Sequence, residues 1–160
     1  GQDGNGEDSM KPSDLQRFVR DALARDELLS GCGCRVSLMD DGNFVSSLEK
    51  AMGLGGSGIH AVVSTPTFRP KSSAAKNVVG EIRIRVAVTE VPNLNRKRPG
   101  AVGGADAAWH VAWLLNQSFP AGNPGPMLVL DGEIASVVNE AADTVTYSVP
   151  FVCINQLLKG

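Results

Sequence analysis

Three cysteines, two histidines and one glycine-rich stretch are the residues of this 160-residue chain whose types and spacing could carry chemistry. Cys32-Gly33-Cys34 has a single-residue spacer where zinc knuckles and redox pairs use two, and no second pair of matching spacing exists. Cys34 alternates with Val36 and Leu38, and Cys153 with Phe151 and Val149, so the thiols read as buried core groups in a reducing compartment rather than as nucleophiles. His60 and His110 belong to no ligand-spaced motif such as two histidines one helical turn apart. Gly53-Leu54-Gly55-Gly56-Ser57-Gly58 satisfies the letters of a dinucleotide-binding loop. Its context is reversed, however: the residues before it look helical and those after it look like a strand, whereas a pyrophosphate needs strand, loop, then helix N-terminus. These glycines are expected to end a helix and turn the chain. The serines form no strand-turn-helix elbow. The expectation is therefore no catalytic, cofactor or metal site.

What remains is binding, and its candidates cluster between Val78 and Phe119. In the strand that opens this stretch, Ile82, Ile84, Val86 and Val88 share one face, while Glu81, Arg83, Arg85 and Thr89 share the other. Arg83 and Arg85 are thus expected on a face that is wet or meets a partner. Proline stops the strand, and the loop Pro92 to Gly100 carries Arg96-Lys97-Arg98. Such a run is usually a solvated connection; as a contact site it would attract phosphates or pair with acidic side chains of an adjacent protein. The protein contact is favoured, because the chain as a whole is not basic. In the helix that follows, Ala108, Val111, Ala112, Leu115 and Phe119 cluster on one side, and Asp106, His110 and Gln117 lie opposite. Trp113 falls among the polar residues and Trp109 on the flank. Either a loop or the C-terminal segment covers these rings, or they anchor a subunit interface, where tryptophan is enriched.

The elements that must position these groups fit one domain, since a chain of this length buries roughly 70% of its unfolded surface. Formal net charge is −2, and Asp3, Glu7 and Asp8 supply three of the negative charges, so the remainder is near neutral and not that of a dedicated nucleic-acid binder. No run approaches transmembrane length, and no charged-then-apolar leader opens the sequence. Residues 1–12 read as an acidic, glycine-rich arm and 13–160 as a single α+β domain. Ser13 with Gln16 suggests a capping box at the start of a helix over Asp14 to Leu29. Strand Cys34 to Met39 follows, then a short helix around Phe44 to Met52. Ile59 to Phe68 reads as a strand joined to the long one by Pro70 to Lys76. Beyond the tryptophan helix lie short strand candidates, Met127 to Leu130 and Ile134 to Val138, and a closing strand, Thr144 to Ile154. The order is α-β-α-β-β-α-β-β, helices packed on a largely antiparallel sheet.

With these elements placed, the segment Val79 to Arg96, with Thr89-Glu90-Val91-Pro92 ending a long strand before an Asn/Arg loop and an amphipathic helix, resembles phage minor tail proteins of the tail-terminator or tail-completion type. The likeness covers about Arg35 to Phe119 in element order, and its motif content lies in Val86 to Arg96. It implies a homo-oligomer, commonly a hexameric ring, that caps the tail tube and gives the head a docking surface. Its partners would be tail-tube and head-completion proteins, with at most non-specific DNA contact. It would work in the bacterial host cytoplasm during assembly and then in the virion tail, without catalytic residues, cofactors or a membrane. The acidic arm and the glycine cluster depart from that pattern. The runner-up reading is a bacterial α+β ligand- or protein-binding module with a cleft near the glycine cluster; a small enzyme comes third.

Overall fold

Two long antiparallel strands organise the fold. The computed structural model describes residues 10–39, 56–74 and 77–158. Strand β4 (Asn77–Glu90) pairs along its length with β7 (Thr144–Leu158), with Ile84 opposite Phe151 and Glu90 opposite Val145. The other edge of β4 is filled by two shorter strands, β2 (Ile59–Val63) and β3 (Thr67–Ala74), and the other edge of β7 by β5 (Leu128–Leu130) and β6 (Ala135–Asn139). Strand β1 (Arg35–Leu38) adds parallel to β2, so the described sheet runs β1-β2-β4-β7-β5 and is otherwise antiparallel. This is the expected α+β class. The expected strand Ile59 to Phe68 is instead two strands, because Ser64 to Pro66 leave the ladder there and the Ser64 hydroxyl takes the Arg85 N–H at 2.9 Å. Pro70 to Ala74, read as a connection, belong to β3, with a register shift at Pro70/Ser72.

A matching interruption between β5 and β6 has a cause in the sequence. Pro150, in the middle of β7, has no N–H to donate, and its carbonyl accepts from Asp131 N at 2.9 Å. In a strand both groups of a residue point to the same side, so the missing donor falls where β5 has ended and β6 has not begun. A central strand thereby tolerates a proline.

Helices cover one face of the sheet. Helix α1 (Pro12–Ala24) buries Leu15, Val19, Ala22 and Leu23. Pro12 occupies the first turn, where its missing N–H costs nothing, and Lys11 rather than Ser13 is the N-cap, with no side-chain capping bond. The expected single helix to Leu29 breaks at Arg25. Asp26 N-caps a separate α2 (Glu27–Gly31), its carboxylate accepting from Leu29 N at 3.0 Å, the role aspartate prefers over a helix interior. A one-turn helix α3 (Pro92–Asn95) follows β4, and α4 (Gly104–Leu115) lays Ala107, Ala108, Val111 and Leu115 on Ile84, Val86 and Val88. Three strands follow α4, one for each segment expected there, where the order α-β-α-β-β-α-β-β counts two. The N-terminal arm to Ser9, the helix expected around Phe44 to Met52 and Gly53 to Gly55 lie outside the described residues.

Candidate functional site

The site is built where the two long strands end, and its centre is a residue the sequence reading passed over. Glu90 continues the even-numbered face of Ile82, Ile84, Val86 and Val88, so its carboxylate enters the core and is fully buried. It is satisfied from three sides: Asn95 Nδ2 donates at 2.7 Å, Gly104 N at 2.9 Å, and Arg96 through Nε and Nη2 at 3.3 Å each. Burial alone would raise the Glu90 carboxyl, but the bonds from Arg96, Asn95 and Gly104 outweigh it and hold the group below the usual carboxylate range. Asn95 Nδ2 also donates to Val102 O at 2.8 Å. One carboxylate thus ties the end of β4 to α3, to the basic loop and to the first turn of α4.

Two of the three loop cations are consequently tied within the subunit. Arg96 closes on Glu90, and Arg98 Nη1 donates to Cys32 O at 3.2 Å, lying over Gly33, whose φ of +78° suits a residue without Cβ. Lys97 is exposed. Gly58 belongs to the same arrangement: its φ is +84° and a Cβ there would stand 2.7 Å from Asn95 N, so this member of the glycine cluster serves close backbone packing against α3.

The tryptophans are open to solvent. Trp109 and Trp113 are 72% and 75% exposed on the outer side of α4, and the covering loop or C-terminal segment weighed above does not shield them. Trp113 stacks on His110 with ring centroids 5.6 Å apart, and His110 Nε2 lies 2.8 Å from Asp26 Oδ2, which fixes the ring against the α1–α2 junction. A groove of about 650 Å³ runs between the two indoles and Leu130, Gly132 and Ile134. A second hollow of about 540 Å³ lies on the other side of Trp113, against Phe18, Arg25 and Leu114. Trp113 is therefore a ridge between two depressions, next to Leu130, which is also exposed.

Arg83 and Arg85 lie on the sheet face away from the helices, as the alternation predicts. Arg85 Nη1 donates to Ser148 Oγ at 3.2 Å. Arg83 pairs with Glu81 at 2.9 Å and approaches Asp131 at 3.9 Å, and Glu81 itself is nearly buried. The structure thus separates the predicted contact residues into an indole surface on α4, an arginine pair on the open sheet face and a pinned loop beside β1.

The three cysteines and His60 are all buried. Cys32, Cys34 and Cys153 are free and buried, and burial pushes the Cys34 and Cys153 thiols each up to about 12. His60, on β2, is buried with Nε2 2.7 Å from Ser37 Oγ of the neighbouring β1. Burial first, and Arg35 second, lower it to about 4. Among the described residues no group of three or more His, Cys, Asp or Glu could hold a metal ion, and no helix is long and apolar enough to cross a membrane.

No protein-family model matches the chain, and no curated protein matches it in sequence. Among solved structures, a chain described as "Virion of native gene transfer agent (GTA) particle" superposes with a TM-score of 0.60 at 16% identity, covering 88% of this chain and 93% of that one. The likeness spans nearly the whole of both chains, so this chain shares its fold with a chain of that gene transfer agent virion.

Proposed function

We propose that this chain is a structural subunit of a phage-type virion, which closes with copies of itself into a ring at the boundary between tail and head and caps the tail tube. The observation that carries this reading is the likeness to the gene transfer agent chain, which leaves little of either chain outside the common fold. The Thr89-Glu90-Val91-Pro92 turn supports it: Glu90 sets the geometry of the loop and of α4, the two elements whose residues were expected at contacts. The open indoles support it further. A free subunit gains nothing from exposing two tryptophans, whereas an interface core is enriched in them. In this reading Trp109 and Trp113 are buried against a neighbour, the head-completion and tail-tube proteins are the axial partners, and the role is assembly rather than catalysis. The protein would act in the host cytoplasm until it enters the virion.

A second reading, a ligand- or protein-binding module, is favoured by the groove between Trp109 and Ile134. Electron microscopy of the purified protein, alone and with its tail-tube neighbour, separates the two. Rings that cap tube ends support the first; a monomer that leaves tube growth unaffected removes it.

A further inference from the structure

Charge is divided along residues 59–158, and the topology sends the two parts to opposite sides of the central strand pair, with β1 and its Arg35 adding to the basic side. Residues 59–98 hold eight Lys and Arg against only Glu81 and Glu90, whereas residues 99–158 hold Asp106, Asp131, Glu133, Glu140 and Asp143 with no Lys or Arg at all. The first segment builds β2, β3, β4 and the α3 loop; the second builds α4 and β5 to β7. Because β4 and β7 pair in the middle of the sheet, the basic segment extends to one side and the acidic segment to the other.

Glu140 also lies at one level with Lys97 and Arg35, while Glu133 stands further along the acidic edge, near the level of Arg85. Val145 pairs with Glu90, so the turn from β6 to β7, with exposed Glu140, projects from the end of the sheet at which α3 and Lys97 begin. Arg35 opens β1 beside His60, which pairs with Thr89, and so stands exposed at this same end on the opposite edge. Arg98 holds the loop on that side through Cys32 O. The β6 strand is exposed at every residue, including Val137 and Val138, and so presents an outer edge that is both apolar and acidic-rimmed.

Resting on the ring reading, we infer that neighbouring copies join edge to edge, the acidic β5–β6 edge of one docking on the basic β1 and α3-loop edge of the next. Such a contact is head-to-tail and closes into a ring when the rotation per subunit allows, and the matched levels keep the subunits in one plane. The opposite charges steer the copies together and penalise the reversed pairing of like edges.

The test uses the full chain in three variants: Glu133→Lys with Glu140→Lys, Arg35→Glu with Lys97→Glu, and all four changes together. Asp143 is left in place because its φ of +53° suits aspartate and not lysine. Sedimentation velocity at about 0.1 M salt, where surface charges act over about 10 Å, reads association, and circular dichroism verifies the fold. Each double variant should associate at least tenfold more weakly than wild type. An equimolar mixture of the two should recover, because each supplies the edge the other lacks, and the four-change chain should associate within a few-fold of wild type. Wild-type-like assembly by both double variants, or no recovery in the mixture and the four-change chain, would overturn the edge pairing while leaving the ring to the tryptophan face. A wild-type chain that stays monomeric throughout would remove the ring reading and this inference with it.

Discussion

Glu90 Oε1 accepts the backbone N–H of Gly104 at 2.9 Å, so the last residue of the long strand holds the first residue of the tryptophan helix. The contact is tight on both sides: a Cβ at position 104 would stand 3.0 Å from Glu90 Oε1 and 2.8 Å from a Tyr147 ring carbon. The direction in which α4 leaves the sheet, and with it the placement of both indoles, therefore depends on a buried carboxylate and a glycine that share one space.

Removing that carboxylate should be costly. Glu90→Ala leaves Gly104 N without its acceptor, Asn95 Nδ2 with Val102 O alone and Arg96 without its partner, so a loss of about 3 kcal/mol is expected. Glu90→Gln keeps an acceptor for Gly104 but not the charge, and should cost about half as much. Urea denaturation of the two variants reads the difference; an alanine variant as stable as wild type would show that the network contributes nothing. Arg96→Ala should lower stability as well, whereas Lys97→Ala should leave it within about 0.5 kcal/mol.

Acid should weaken the fold in two steps. His60 is held neutral down to about 4 against an ordinary 6.5, so the unfolded chain binds its proton first as pH falls. Its contribution is complete above 6.5 and is lost between 6.5 and about 4, on the order of 2–3 kcal/mol. The Glu90 contribution, from a depressed carboxyl, is lost below the ordinary value of 4.5 as pH falls through the folded-state value. Unfolding free energies at pH 7.5, 5.5 and 4.5 should therefore decline for wild type and decline less for His60→Gln. Equal slopes for the two proteins would remove His60 as the cause.

Much of this was legible in the alternation and periodicity. The apolar face of β4, the outward Trp113 and the buried cysteines follow from residue spacing alone, because side-chain direction in a regular element is local geometry. The burial of Glu90 was also legible, since it continues the even-numbered apolar face, but a carboxylate there reads as a strand end until the donors of Asn95, Arg96 and Gly104 are placed around it. The buried Glu81 was not legible at all: it stands on the open face, opposite Arg69 of the neighbouring β3 and within 2.9 Å of the Arg83 guanidinium, a surrounding that alternation does not show. The split of β2 from β3 carried a local signal in Pro66, whereas the pinning of Arg98 by Cys32 is a contact between residues far apart in sequence.

The two faces of β4 should answer differently to substitution. Ile84 is 1% exposed beneath the helices, so Ile84→Asp places an unpaired charge in the core and should cost on the order of 4–5 kcal/mol, enough to abolish folding. Arg85→Ala should change stability by less than about 0.5 kcal/mol. Arg83→Ala should cost more than Arg85→Ala, about 1 kcal/mol, because it strips the near-buried Glu81 of its closest cation and leaves Lys71 at 4.0 Å. Thermal denaturation ranks the three, and a larger loss for Arg85 than for Arg83 would contradict the ion-pair assignment.

Trp113 separates folding from assembly. Its ring is three-quarters exposed and touches His110 rather than the core, so Trp113→Ala should leave the unfolding free energy within about 0.5 kcal/mol of wild type. If the ridge between the two hollows is an interface anchor, the same change should weaken association by about 2 kcal/mol or more, some thirtyfold. Trp109→Ala should act in the same direction, and the two losses should not add, because the indoles stand one helical turn apart along the same groove. Indole fluorescence offers a second readout, since burial against a neighbour shifts the emission to shorter wavelength in a concentration-dependent way. A folded Trp113→Ala chain with an unchanged sedimentation profile would return both rings to the status of exposed surface, and the ring would then have to form through its charged edges alone.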